Sequence, residues 1–170
     1  IFKVEVVTPE EFLGDVIGRH DGERVLVIAH SANRWALEHL LRGVPMEERA
    51  GLVETDFGGW EGLTFAEARE RDPELHAAWL GGENAAPPGG ESFAAVGVRV
   101  AAVRASIVEE YPGQTVVVVS HVTPIKLLLR QALAGGTEIL YRLHLDLASL
   151  SVADFYRDGG ASVRLFNDTT

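Results

Sequence analysis

The chain has 170 residues, 46% hydrophobic and 24% charged, with a formal net charge of −10 and no cysteine. That length suits one domain with a real core, and the missing thiols exclude disulfides and thiolate metal sites and fit a reducing, cytoplasmic setting. The negative field argues against nucleic acid or an anionic membrane as partner, so any phosphate-ester site must be a local positive pocket.

The opening Ile1-Phe2-Lys3-Val4 lacks a basic region followed by an apolar stretch, so no signal peptide is expected. Residues 1–7 read as a strand. Thr8-Pro9-Glu10-Glu11 is a capping box with proline at the first helical position, and predicts a helix of about ten residues. Residues 25–29 are a short apolar run suited to a strand buried on both faces. A helix over 33–41 follows, stopped by Gly43 and Pro45.

Residues 50–63 are glycine-punctuated and irregular. Thr64-Phe65-Ala66-Glu67 is a second capping box, opening a helix that runs towards Trp79 and stops at Gly81-Gly82, with a break or kink at Pro73. Residues 81–90 form a Gly/Pro-rich loop. Residues 91–111 predict a helix, with Ser92 as cap and Phe93, Val96, Val100, Val103 and Ile107 at helical spacing. The run 116–119 is another buried strand, far too short to span a bilayer, and 123–133 another helix. Residues 147–156, the turn Arg157-Asp158-Gly159-Gly160 and 161–166 read as a β-hairpin. The order predicts a three-layer α/β/α domain, with a mainly parallel sheet and an antiparallel edge hairpin.

One internal similarity bears on function. Val25-Leu26-Val27-Ile28-Ala29-His30 and the helix after it match Val116-Val117-Val118-Val119-Ser120-His121 and its helix. Each histidine ends a strand and precedes a helix N-terminus. In open α/β sheets ligands bind at the carboxyl ends of strands, where helix N-termini favour anions. Two imidazoles there could hold a phosphoryl group, one as nucleophile and one, charged, with arginines, stabilising its oxygens. A carboxylic acid must then protonate the leaving alkoxide and later deprotonate the attacking water.

Glu54, Asp56 and Glu61 are candidates for that acid, and Glu54 is preferred because it precedes the glycine-rich turn. The competing reading is a loop carboxylate in solvent. A lone histidine after a strand is more often structural than catalytic, and the matched contexts of His30 and His121 only bring the two readings level. Arg34, on the first turn after His30, can reach the same anion or form a surface ion pair. Arg19-His20-Asp21-Gly22 is rejected as part of the site, because it precedes a strand and lies at its amino end. Ser149 and Ser151 lack a glycine elbow. His39, His76 and His144 have no ligand partner at i+4, so no metal or other cofactor is expected. Trp60 and Trp79 read as packing residues.

Three segments carry a family resemblance: Glu54-Thr55-Asp56-Phe57-Gly58-Gly59-Trp60-Glu61-Gly62-Leu63-Thr64, then Pro88-Gly89-Gly90-Glu91-Ser92, then Val118-Val119-Ser120-His121. With Arg71-Asp72-Pro73-Glu74-Leu75-His76 and Leu143-His144-Leu145-Asp146-Leu147-Ala148-Ser149-Leu150, they make residues 52–170 resemble the histidine phosphatase (phosphoglycerate mutase-like) superfamily. The wording is nearest to the phosphatase domain of bifunctional RNase H/acid phosphatases. The resemblance implies that His121 is the second, phosphate-binding histidine, that Glu54 holds the acid/base position, and that phosphoryl transfer proceeds without metal. Residues 22–50 resemble the superfamily's strand-His-helix, with Arg34 matching a phosphate-binding arginine and His30 standing where a small serine is usual.

Residues 1–18 instead resemble a strand-helix unit of elongation factor G, and no Arg-His-Gly occurs in the chain. This reading makes 1–170 one domain in three parts (1–18, 22–50 and 52–170), a recombined or designed chimera with its nucleophile segment replaced. The expected function is a metal-independent phosphomonoesterase-type domain of weak or no activity, with His30 as substitute nucleophile and phosphate or a small phosphate ester as ligand. The alternative is a catalytically silent domain that at most binds phosphate.

Overall fold

The computed structural model describes the backbone of residues 28–30 and the whole of residues 47–169. The strand and helix expected over 1–18 and the helix expected over 33–41 lie outside these residues. Of the run expected as the first buried strand, Ile28 and Ala29 are described, and they open β1 (Ile28–His30). It pairs in parallel with β2 (Val118–Ser120), setting Ile28 opposite Val118 and His30 opposite Ser120. A parallel pair brings both carboxyl ends to one edge of the sheet, where the two strand-His-helix units require them. The register sets His30 one residue short of His121, a step off the alignment of histidine on histidine.

Between those strands the described residues build three α-helices. Thr64 caps α1 (Phe65–Arg71) through a complete capping box: its hydroxyl accepts from Glu67 N at 3.2 Å, and the Glu67 carboxylate accepts from Thr64 N at 2.8 Å. The break expected at Pro73 is present. Asp72 closes α1 and precedes α2 (Pro73–Gly81), with proline at the first turn, where its missing N–H costs nothing. Ser92 caps α3 (Phe93–Glu110) by accepting from Ala95 N at 3.2 Å.

After β2 come α4 (Val122–Ala132) and the four-residue α5 (Ile139–Arg142). The latter was not expected, because four residues after a glycine pair hold too little periodicity to register. The hairpin is β3 (Leu150–Phe155) against β4 (Ala161–Asp168), antiparallel and closed by a turn in which Tyr156 N donates to Gly160 O at 2.8 Å. β3 also runs close to β1.

The core lies where α3 and α4 pack together. Val96, Val100 and Leu129 are fully buried there and Leu127 nearly so, each of these aliphatic chains contributing about 2 kcal/mol relative to exposure. Trp60 and Trp79 are buried as expected. Trp79 stands among Phe57, Trp60, His76, Phe93 and Tyr141, at ring-centroid distances of 5.0–6.5 Å. Among the described residues no helix is long and apolar enough to cross a membrane.

Candidate functional site

The carboxyl end of β2 turns directly into α4, with His121 as the extended residue between them (φ −116°, ψ 172°). The first backbone N–H groups of a helix lack intrahelical partners and carry partial positive charge, so this end attracts an anion. The Glu54 side chain reaches this end from elsewhere in the chain. Its Oε2 accepts from Thr123 N at 3.5 Å, and its Oε1 accepts from Thr55 N at 2.8 Å. The carboxylate thus reaches the helix two residues after His121, across a sequence gap of 69 residues.

A turn further along α4 stands Lys126, half-buried, with Nζ donating to the Leu140 carbonyl at 2.8 Å. Burial pushes its ammonium below the usual lysine range, while the charge of Glu54 opposes that shift. Below Glu54, Ser120 Oγ donates to the buried Leu52 carbonyl at 2.6 Å.

Asp56 and Glu61, the other two candidate acids, are turned onto their own loop. The Asp56 carboxylate accepts from Gly58 N at 2.8 Å, and the Glu61 carboxylate accepts from Phe57 N at 2.9 Å. Both shape the turn that follows Glu54. That turn packs backbone to backbone against the Pro88-Gly89-Gly90 segment: Gly59 N donates to Pro88 O at 2.7 Å, and Glu91 N donates to Asp56 O at 2.8 Å. No side chain fits between them. A Cβ on Gly58, whose φ is +50°, would overlap the Pro88 carbonyl oxygen, and one on Gly90 would overlap that of Asp56.

Of the residues expected in the site, Glu54 and His121 are therefore brought to the start of one helix. His30 is placed only by its backbone, at the end of β1, and Arg34 lies outside the described residues, as do His39 and the segment 19–22. His76 is buried in the aromatic cluster, and His144 is exposed with its Nε2 3.2 Å from Asp146 Oδ1. Sequence reading passed over Lys126 and Arg99. Arg99 carried a legible signal, since it falls three residues after Val96 and four before Val103, within the apolar stripe of α3.

A parallel strand pair feeding a helix, followed by a hairpin, is the described part of a phosphatase-type α/β fold shared with several solved structures. The alpha-ribazole phosphatase from Shigella flexneri superposes with a TM-score of 0.70 at 25% identity, over 87% of this chain and 75% of that one. A mycobacterial glucosyl-3-phosphoglycerate phosphatase complexed with VO3 gives 0.73 at 24% identity, over 95% and 84%, and at that identity shows the fold alone. Residues 36–169 match the profile of the histidine phosphatase superfamily (branch 1), and the chain belongs to that superfamily.

Among its relatives is the bifunctional protein Rv2228c of Mycobacterium tuberculosis, 67% identical over 118 residues, which are 69% of this chain and 32% of that protein. An acid phosphatase of the same organism is 32% identical over 115 residues, 67% of this chain and 54% of its own length. The chain thus spans about a third of the length of Rv2228c. None of these relatives bears on elongation factor G. The reading of 1–18 as a foreign segment in a chimera finds no support in them, and those residues lie outside both the family match and the described structure.

Proposed function

We propose that this chain is a metal-independent phosphomonoesterase-type domain in which His121 binds the phosphoryl group and Glu54 serves as acid and base. The observation that carries the reading is the approach of the Glu54 carboxylate to the first turn of the helix that His121 opens. The names of the relatives, acid phosphatase among them, support the same class of substrate, a small phosphate ester. The proposal extends to a three-layer α/β/α arrangement of one domain, built from 1–18, 22–50 and 52–170, and to a cytoplasmic setting.

In this scheme a histidine nitrogen lone pair attacks phosphorus, and the bond to the leaving oxygen breaks as Glu54 delivers its proton. Water then attacks the phosphohistidine while Glu54 takes a proton back, and the N–P bond breaks. The imidazole of His121 and the guanidinium of Arg34 steady the phosphoryl oxygens, so the scheme calls on no metal. His30, at the end of β1, is the nucleophile within these 170 residues, which contain no Arg-His-Gly. The proposal includes weak turnover, since misplacing a nucleophile by about 1 Å already costs on the order of 100-fold in rate.

Turnover of a generic phosphomonoester in the presence of chelator tests this, with His30→Ala, His121→Ala and Glu54→Gln beside the parent. Slow turnover that falls by about 100-fold or more in each variant supports the relay. Activity that survives both histidine substitutions ends it. A parent that neither turns over ester nor binds vanadate overturns the site, whereas vanadate binding without turnover identifies a silent phosphate-binding domain.

A further inference from the structure

Four consecutive carbonyls lead up to the candidate acid, and each is held by a side chain. Leu52 O accepts from Ser120, as described. The other three accept from one guanidinium on α3: Arg99 Nη1 donates to Gly51 O at 2.9 Å and Val53 O at 2.8 Å, and Nη2 donates to Glu54 O at 3.0 Å. The remaining two donors of Arg99 form a bidentate pair with Glu91, Nε to Oε1 at 2.9 Å and Nη2 to Oε2 at 2.8 Å. All five guanidinium N–H groups are thereby used. Glu91 Oε2 also accepts from Asp56 N at 3.1 Å, so the same pair holds the backbone on both sides of Glu54 and Thr55. A lysine could not do this, having a compact ammonium in place of a planar fork.

We infer that Arg99 is a positioning residue: through the carbonyls of 51, 53 and 54 it fixes the backbone from which Glu54 reaches the α4 N-terminus, and so sets the geometry of proton delivery. The inference rests on the reading of Glu54 as the acid. No rigid element of its own holds that glutamate. The Ala50–Leu52 turn is a single 3₁₀ turn, and the residues after it are irregular. Without Arg99 the segment would keep the Ser120 bond at Leu52 and lose its three other carbonyl anchors.

The test uses Arg99→Lys in the full chain and two readouts. Amide hydrogen exchange at Thr55 and Thr123, the two N–H groups bonded to the Glu54 carboxylate, rises about tenfold or more, while Leu129 in the core of α4 stays within about twofold. For turnover, kcat for an alkyl phosphate, which needs a proton on its leaving oxygen, falls about tenfold further than kcat for p-nitrophenyl phosphate, which does not, with KM for both within about threefold of the parent. A general loss of structure would instead raise exchange at all three amides and depress both esters equally, and either pattern overturns the inference, as does unchanged exchange at Thr55 and Thr123. Should Arg99→Lys not fold, Glu91→Gln keeps the carbonyl bonds while weakening the pair, and shows the same pattern at smaller size. A parent inactive on both esters overturns the phosphatase reading, and the exchange result then decides the placement alone.

Discussion

Ser120 Oγ and the Leu52 carbonyl meet at 2.6 Å in the buried interior, joining the last residue of β2 to the segment that carries Glu54. The bond ties the carboxyl end of β2 to the segment of the candidate acid through one hydroxyl. Ser120→Ala leaves the carbonyl buried without that donor, and the desolvation cost of an unmet acceptor is about 1–3 kcal/mol. Urea unfolding should show a loss of this size with an unchanged m-value, and a negligible change would mean that the carbonyl finds another donor.

Gly58 and Gly62 both have positive φ, yet only the first is crowded. Gly58→Ala meets the Pro88 carbonyl oxygen, whereas a Cβ on Gly62 has nothing within 4 Å. The expected cost is at least about 2 kcal/mol at Gly58, where backbone strain and overlap combine, and about 1 kcal/mol at Gly62, where strain acts alone. Thermal denaturation of the two variants side by side reads the difference. Equal shifts would show that the loop yields.

The Arg99 guanidinium bonded to Glu91 holds that carboxyl below its ordinary value of 4.5, against the opposing effect of its own partial burial. A lowered folded pKa means that the stabilisation is fully present above pH 4.5 and is lost as pH falls through the folded value, because the unfolded chain then binds the proton more readily. Chemical unfolding between pH 6 and pH 3 should therefore show a shallower acid loss in Glu91→Gln than in the parent. Parallel curves would remove Glu91 from the acid limb.

Trp79 is the hub of the aromatic cluster, 3% exposed, and its carbonyl accepts from the Tyr141 hydroxyl at 3.0 Å. Truncating it to alanine opens a large cavity among rings on four helices and the turn at Phe57 and Trp60, at a cost of about 3–5 kcal/mol. Calorimetry should find the midpoint lowered well beyond the shift caused by Phe65→Ala, whose ring is 68% exposed.

What the sequence made legible was local. The Thr64 box, the Ser92 cap and the break at Pro73 each depend on residues within a turn of one another, and all three are present. The order of strands and helices along the chain foretold a mainly parallel sheet, and the pairing of β1 with β2 is parallel. Glu54, Asp56 and Glu61 were alike as sequence. They separate only in three dimensions, where short turn bonds occupy Asp56 and Glu61 and leave Glu54 to reach α4. The Arg99 clamp spans 48 residues between Gly51 and α3, and its three acceptors on the Glu54 segment are carbonyls, which every residue has. No residue type advertises such a partner.

The close approach of Gly58 and Gly90 reaches beyond stability, into which residues the two stretches can accept together. Because two backbones interlock there without side chains between them, the stretch holding Glu54 and the stretch holding Glu91 work only as a matched set, like two halves of a clasp. A side chain at either glycine would meet a backbone oxygen of the opposite stretch and hold the two apart. With glycine at both positions the clasp closes, and the turn that follows Glu54 keeps its shape.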